Sequence, residues 1–216
     1  LNGDVAVLIP GLLKSLPYQV FATSSIDALV HATESFVSPR ANAFSELFST
    51  KAIEMIIKAY RRIAEQGKEA RLSDMEDYLI ASAYAGIAFG NVGVGAVHAM
   101  SYPLGGVYHV PHGEANQQMF TTVFKMYKKI QPTGRIEKLE AQLAELLEVP
   151  VSQAWEALDA LLETILPRKP LRGYGMTEAD IEGFSESVIV NQQRLLANNY
   201  VPLSKEQMVE IYRTLY

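Results

Sequence analysis

Three of the four histidines of this 216-residue chain lie in one stretch, AVHAMSYPLGGVYHVPHG at residues 96–113. The stretch contains no Asp, Glu, Lys or Arg. Imidazole nitrogens in such a setting coordinate metal ions or make hydrogen bonds inside a core. Each histidine taken alone is more often structural than a ligand. A metal site here therefore requires further ligands from another part of the chain.

The fourth histidine lies beside a carboxylate. Asp27 and His31 are four residues apart in the predicted helix SSIDALVHATESFV, residues 24–37, so both side chains lie on one helix face. The flanking positions are apolar: Ile26, Leu29 and Val30. An aspartate that faces a core is costly unless it binds a cation or accepts hydrogen bonds. A surface Asp–His pair is the alternative interpretation of this segment.

The two regions together supply four candidate metal ligands. His98 lies in a charge-free predicted helix and His112 begins the next one, so a helix–turn–helix brings them together. With Asp27 and His31 they provide three imidazole nitrogens and one carboxylate oxygen, which suit Fe(II) or Zn(II). An open coordination position would permit Lewis-acid catalysis. The spacings alone leave a structural role open, because none is a closed metal motif.

Other chemistries find less support. The sequence has no GxSxG, HExxH or GxxxxGK[ST] motif, and GNVGVG at 90–95 lies between predicted helices, which indicates a tight turn rather than a dinucleotide loop. The absence of cysteine excludes thiolate ligands, disulfides and a thiol nucleophile. The sequence thus predicts no residue in this chain that binds a dinucleotide phosphate.

The elements that would position these residues are helical. Ser73 with Glu76, and Ser204 with Gln207, predict capping boxes, and Gly67 predicts a helix end. Pro103 is expected to end or kink its helix. The predicted helices are 24–37, 42–66, one from the first capping box through Gly86, about Gly95 to Tyr108, His112 or Gly113 to about Ile130, 135–148, 152–166, 178–198 and 205–215. The predicted fold class is all-α, a bundle-like helical domain.

One segment does not fit this pattern. DVAVLIP, residues 4–10, is a β-branched apolar run that predicts a buried strand. A lone strand has no hydrogen-bonding partner. We therefore expect residues 1–10 to belong to a missing sheet, and residues 11–216 to form the all-helical domain.

Composition excludes several classes of protein. Hydrophobic residues make up 49% and charged residues 20% of the chain, which excludes disorder. The net charge is −5 and the basic residues are scattered, so we expect no nucleic-acid partner. The charge-free run from Tyr78 to Gly113 is long enough for a bilayer. Its polar residues, glycines and acidic flanks favour a buried helix pair and no membrane partner.

Two of these segments carry a resemblance. DALVHATE (27–34) with HAMSYPLGGVYHVPHGEAN (98–116) resembles the metal-binding half of the iron-containing alcohol dehydrogenases. The resemblance covers the whole chain, including RKPLRGYGM (168–176) and QQRLLANNYVPLS (192–204).

The resemblance implies a ligand set. Members of the family hold their metal with an Asp, a His four residues later, and two further His fourteen apart. The matching residues here are Asp27, His31, His98 and His112. The implied ion is Fe2+, with Zn2+ as the other option.

The resemblance also implies a missing domain. Members of this dehydroquinate synthase-like fold carry an N-terminal α/β nucleotide-binding domain before the helical one. The chain would then be a C-terminal fragment that begins at the last strand of that domain. NAD would be bound mainly by the missing part, and the fragment alone is expected to be inactive.

Three further residues take roles from the resemblance. Many members place a histidine four residues after the third ligand. Here Tyr102 stands there, one turn beyond His98, and is the expected catalytic residue, with a half-buried packing aromatic as the alternative. Phe89 matches a position that lines the substrate pocket, with a plain core aromatic as the alternative. His109 is assigned to substrate binding, with an exposed loop histidine as the alternative. The candidates for binding a substrate carboxylate are Arg40, Lys125, Arg168 and Arg172.

The implied activity is reversible hydride transfer between NAD(H) and the 4-hydroxybutyrate/succinate semialdehyde pair, in a cytoplasmic homodimer. Another small alcohol or diol is the alternative within the family. A helical phosphohydrolase is a second alternative, but the adjacent His-Asp pair that would favour it is absent from the sequence. A non-catalytic helical module with structural histidines is the third.

Overall fold

Turns rich in proline and glycine separate ten α-helices within residues 5–216, the part of the chain that this computed structural model describes. Four short 3-10 helices lie between them, at Pro10–Leu13, Lys68–Asp74, Val151–Gln153 and Leu171–Tyr174. The helices are α1 (Tyr18–Val37), α2 (Ala43–Gln66), α3 (Met75–Val92), α4 (Ala96–Tyr108), α5 (His112–Ile130), α6 (Arg135–Leu147), α7 (Ala154–Ile165), α8 (Glu178–Asn191), α9 (Gln193–Leu196) and α10 (Lys205–Leu215). The predicted all-α fold is confirmed.

Local capping signals fix several of these bounds. Asn42 Oδ1 accepts the backbone N–H groups of Phe44 and Ser45, and Gly67 ends α2 at a φ of 90°. At α10, the side chain of Ser204 accepts the N–H of Gln207. These two helices therefore lie where the sequence predicts them.

Other predicted bounds are wrong. Helix α1 begins at Tyr18 and not at Ser24, because Pro17 already provides the N-cap position. The predicted capping box of Ser73 does not form, since its hydroxyl donates to Ala70 O within a 3-10 turn and α3 starts at Met75.

Pro103 does not end its helix, and two helix ends differ from those predicted. Helix α4 continues through Pro103 to Tyr108, because a proline removes one backbone hydrogen bond and the remaining ones hold the helix. Helix α3 runs past Gly86 to Val92. The predicted helix 178–198 is interrupted at Gln192 and divides into α8 and α9.

The segment predicted as a strand is not one: residues 5–9 have no regular structure, and Pro10 begins a 3-10 helix. Residues 5–9 form no strand, and Val5 and Val7 are exposed. A strand needs a neighbour to accept its hydrogen bonds, and the described residues offer none. Asp4 lies outside the described residues.

Helix α1 is the centre of the packing. It contacts α2, α3, α5 and α6. The close approach of α5 depends on Gly113, because a Cβ there would lie 2.1 Å from the backbone oxygen of Thr23 in α1. This contact brings the first turn of α5 onto α1 one turn before Asp27.

Within residues 5–216, no single helix is long and apolar enough to cross a membrane. The segments Lys68–Val92 and Ala96–Tyr108 meet the length and composition only as a pair bent by 104°.

Candidate metal centre

Helix α1 presents three polar side chains on one face. Asp27, His31 and Glu34 are spaced four and then three residues apart, so they follow one another over two turns. Glu34 is buried, and the side chains of Asp27 and His31 are 21% and 19% exposed. This face therefore points at the groove between α1 and the helices that pack on it.

Helices α4 and α5 bring two more imidazoles to Asp27. His98 Nε2 lies 3.6 Å and His112 Nε2 lies 3.5 Å from Asp27 Oδ1. His31 Nδ1 lies 3.9 Å from Asp27 Oδ2. One candidate ligand atom from each of Asp27, His31 and His98 lies within 4.8 Å of the others. The structure thus brings together all four side chains that the sequence predicts as ligands.

The Glu34 carboxylate contacts both the His98 ring and the backbone of α4. Its Oε2 lies 2.6 Å from His98 Nδ1, and its Oε1 accepts the N–H of Val97 at 2.7 Å. Because Val97 lies in the first turn of α4, where Gly95 offers no capping side chain, the Glu34 carboxylate also caps this helix. With Nδ1 donating to Glu34, His98 Nε2 faces Asp27 and is free to bind a cation once it has released its proton.

The buried nitrogen of His98 is the test of whether a metal fits. His98 Nε2 has no hydrogen-bond partner among the described residues, although it is buried. An unpartnered buried nitrogen is costly unless it binds something. Three imidazoles and one carboxylate form a donor set that Fe(II) and Zn(II) accept. The residues present therefore fit a divalent metal.

Asn116 ties the carboxylate to the histidines. Its Nδ2 donates to Asp27 Oδ1 at 2.6 Å and lies 3.2 Å from His112 Nε2. Its Oδ1 accepts the hydroxyl of Ser101 at 2.5 Å. Asn116 is fully buried, so these contacts fix the orientation of the Asp27 carboxylate.

The sequence reasoning assigned no role to Glu34 or Asn116. Both lie one helical turn from a predicted ligand: Glu34 follows His31 by three residues, and Asn116 follows His112 by four. That spacing is the signal that would have found them.

Burial disfavours the charged form of each ionisable side chain in the cluster, and neighbouring charges determine the final direction of each pKa shift. Burial lowers the pKa of His31 to about 4 and also lowers that of His112. Burial raises the pKa of Asp27, but His98 and the other two imidazoles outweigh this and bring it to about 2. Burial lowers the pKa of His98, but Asp27 and Glu34 outweigh this and raise it to about 9. The proton on His98 is therefore the one that a bound cation displaces.

Aromatic rings stack against the cluster. The rings of His31 and His98 lie 4.7 Å apart at 17°, and Phe89 stacks on the other face of His31 at 4.2 Å and 16°. Phe89, predicted to line the substrate pocket, thus lies directly against one of the predicted ligands.

Two clefts meet at these rings and share His31, Phe89 and His112. The first, which we call the hydroxyl cleft, has a volume of about 500 Å3 and is also lined by Thr23, Ser24, Asp27, Ala28, Ser82, Gly86, Pro111 and Gly113. The second, which we call the arginine cleft, has a volume of about 420 Å3 and is also lined by Arg40, Gly90, Asn91, Gly93, Val94, His98, Tyr102, Arg194, Leu195 and Asn198.

Tyr102 and His109 occupy different settings. Tyr102 lines the arginine cleft, and its ring lies 6.0 Å from that of His112. Burial raises the pKa of Tyr102, so its hydroxyl stays protonated at neutral pH. His109 is exposed, adopts a φ of 55° at the end of α4, and lines neither cleft.

The four basic residues suggested for substrate binding are also separated by the structure. Lys125 and Arg168 are bound to Asp159, at 2.5 and 3.0 Å. Arg172 is exposed and lines neither cleft, whereas Arg40 lines the arginine cleft.

Comparison with known proteins matches this arrangement to a family. The profile of the Fe-containing alcohol dehydrogenase family, C-terminal, matches residues 21–216. A 4-hydroxybutyrate dehydrogenase of Clostridium kluyveri is 54% identical over 216 residues, which are 100% of this chain and 58% of that protein. The chain belongs to the iron-containing alcohol dehydrogenases.

Solved structures agree with the fold. An iron-containing alcohol dehydrogenase from Thermococcus thioreducens is 27% identical with a TM-score of 0.82, and the match covers 99% of this chain and 55% of that one. Sulfoacetaldehyde reductase from Bifidobacterium kashiwanohense, solved in complex with NAD+, is 25% identical with a TM-score of 0.79, over 95% of this chain and 52% of that one. The chain therefore spans little more than half the length of these relatives.

Proposed function

We propose that the chain is the metal-binding part of an NAD-dependent dehydrogenase that interconverts 4-hydroxybutyrate and succinate semialdehyde. The observation that carries the proposal is the convergence of His31, His98 and His112 on the Asp27 carboxylate, with His98 Nε2 buried and unpartnered. The similarity to the Clostridium kluyveri enzyme supports the substrate pair, and the NAD+ complex of the sulfoacetaldehyde reductase supports the cofactor.

We propose that the two predicted domains bind the metal and the NAD separately. Residues 11–216 would hold the metal, and residues 1–10 would complete a nucleotide-binding domain that supplies most of the NAD contacts. We propose that the whole enzyme acts as a homodimer in the cytoplasm.

Asp27, His31, His98 and His112 would hold Fe2+ or Zn2+. Such an ion would supply Lewis-acid activation of the substrate oxygen, and NAD would supply the redox chemistry. Glu34 keeps His98 in the tautomer that presents Nε2. Asn116 keeps the Asp27 carboxylate turned toward the imidazoles.

Aromatic residues complete the site. Phe89 packs on His31 and excludes water from one face of that ring. Tyr102, with its protonated hydroxyl, donates a hydrogen bond to the substrate in the arginine cleft.

Metal analysis of variants tests the site. The purified wild-type protein is expected to hold one divalent ion, and His98→Ala and His112→Ala are expected to lose it. His109→Ala is the matched control, because this histidine lies outside both clefts. Unchanged metal in both ligand variants contradicts the site.

Substrate and cofactor are tested separately. Full-length protein is expected to reduce NAD with 4-hydroxybutyrate, whereas a faster reaction with another small alcohol or a diol would favour the alternative within the family. Residues 1–216 alone are expected to bind no NAD by calorimetry. Micromolar affinity of this fragment for NAD would contradict the division of labour.

A further inference from the structure

Two arginines from distant parts of the chain line the arginine cleft. Arg40 follows the end of α1, and Arg194 lies in the short helix α9. Helix α9 is anchored beside the site, because Asn198 Nδ2 donates to Val94 O at 3.2 Å. Gly93 permits this approach: a Cβ there would lie 2.4 Å from Asn198 Nδ2. The close packing of this segment against residues 93–95 therefore holds Arg194 near the histidines.

The charge of the cleft is unbalanced. Its lining includes two guanidinium groups and no Asp or Glu. Across residues 5–216, neither Arg40 nor Arg194 forms an ion pair, whereas Arg168 is held by Asp159 and Glu163. Guanidinium groups that face a cleft without a carboxylate are suited to bind an anion from solution.

The two arginines share their cleft with residues of the candidate metal centre. His98, His112 and Tyr102 line the same cleft as the arginines. A ligand in the cleft can therefore contact both the histidines and the guanidinium groups.

We propose that Arg194, together with Arg40, binds the substrate carboxylate and makes the enzyme select short ω-hydroxy acids and their semialdehydes over uncharged alcohols. This inference rests on the proposed function and adds the residues that would set its specificity. A bidentate guanidinium–carboxylate contact would hold the far end of the substrate while its hydroxyl lies at the histidines.

Steady-state kinetics of the full-length enzyme test the proposal with a matched pair of alcohols. 4-Hydroxybutyrate carries a carboxylate, and 1-butanol has the same four-carbon chain without it. In Arg194→Gln the KM for 4-hydroxybutyrate is expected to rise about tenfold or more, the size of a lost hydrogen bond to a charged group. Arg40→Gln should raise it less, and Arg194→Lys should restore part of the loss. The KM values for 1-butanol and NAD should stay within about twofold of wild type.

Arg172→Gln is the control, because Arg172 is exposed and lies outside the cleft. Inhibition by butyrate provides a second readout, and Arg194→Gln should weaken it in parallel. Equal losses for 4-hydroxybutyrate and 1-butanol would overturn the proposal. A rise in the KM for NAD alone would also overturn it and would assign the arginines to a cofactor phosphate.

The wild-type enzyme separates this proposal from the proposed function. If it oxidises 4-hydroxybutyrate and the arginine variants behave like wild type, the carboxylate site is wrong and the reaction stands. If it oxidises other alcohols and not 4-hydroxybutyrate, the proposed substrate is wrong and the carboxylate site falls with it.

Discussion

The hydroxyl cleft and the arginine cleft share three residues and differ in charge. His31, Phe89 and His112 line both, but the hydroxyl cleft adds Asp27 and neutral hydroxyl groups, whereas the arginine cleft adds Arg40 and Arg194. The shared residues belong to helices α1, α3 and α5, and the arginines come from the segment after α1 and from α9. Under the proposed function, the shared helices would supply metal ligands, and the segments that carry the arginines would supply substrate specificity.

The largest effect should come from disrupting the close approach of α1 and α5, whose contact residues Thr23 and Gly113 line the hydroxyl cleft. Gly113→Ala places a methyl group 2.1 Å from the Thr23 carbonyl oxygen, so the helices must separate. We expect the free energy of unfolding to fall by about 3 kcal/mol, measured by urea denaturation.

Gly183→Ala is the control for that variant. A Cβ at Gly183 in α8 would meet no atom within 4 Å, so this change should be neutral or stabilise by about 0.5 to 1 kcal/mol. Equal stability of the two variants would show that α1 and α5 can move apart without a loss of stability.

Neutralising the charge of Glu34 should weaken metal binding at His98, which lines the arginine cleft. Glu34→Gln removes the charge that holds His98 Nδ1 and caps α4. We expect the affinity for Zn2+, measured by competition with a chelator, to fall between about tenfold and a hundredfold. Glu76→Gln, at an exposed position of α3, should bind Zn2+ like wild type. Unchanged affinity in Glu34→Gln would mean that packing alone orients His98.

Removing one hydroxyl should affect the arginine cleft alone. Tyr102→Phe is expected to lower kcat/KM for 4-hydroxybutyrate about tenfold, the loss of one hydrogen bond to a charged or reacting group, with metal content intact. Tyr84→Phe is the control, since Tyr84 lines neither cleft. Wild-type kinetics in Tyr102→Phe would assign Tyr102 to packing.

The smallest effect should come from the hydroxyl cleft. Ser82→Ala is expected to change the KM for 4-hydroxybutyrate by less than about twofold, because Ser82 contributes no charge to binding. A tenfold rise in this KM would place the substrate in the hydroxyl cleft and remove the distinction between the clefts.

Local signals made much of the fold predictable. Gly67 and the Ser204–Gln207 capping box act within one helical turn, so their sequence patterns determine their structure. The Ser73–Glu76 pattern is equally good in sequence, yet the Ser73 hydroxyl bonds to Ala70 O because the preceding residues form a 3-10 turn. A competing local hydrogen bond is not visible in the spacing.

Contacts of the site that lie within one helix are predictable from spacing, and contacts between distant segments are not. Asp27 with His31, and His112 with Asn116, are pairs within one helix, and their spacing alone places them together. Arg194 joins the cleft only because α9 packs on α4 and Asn198 reaches Val94. No periodicity links Arg194 to residues about a hundred positions earlier, so a single sequence does not predict this contact.

The buried Glu34 has a consequence for the charge of the ion that the site accepts. Asp27 and Glu34 contribute two negative charges beside His31, His98 and His112, which are neutral as metal ligands. A divalent cation brings this sum to zero, whereas a monovalent ion leaves one negative charge in a poorly solvated site and a trivalent ion leaves one positive charge. We therefore expect the fold to select the ion by its charge, and cellular availability to decide between Fe2+ and Zn2+.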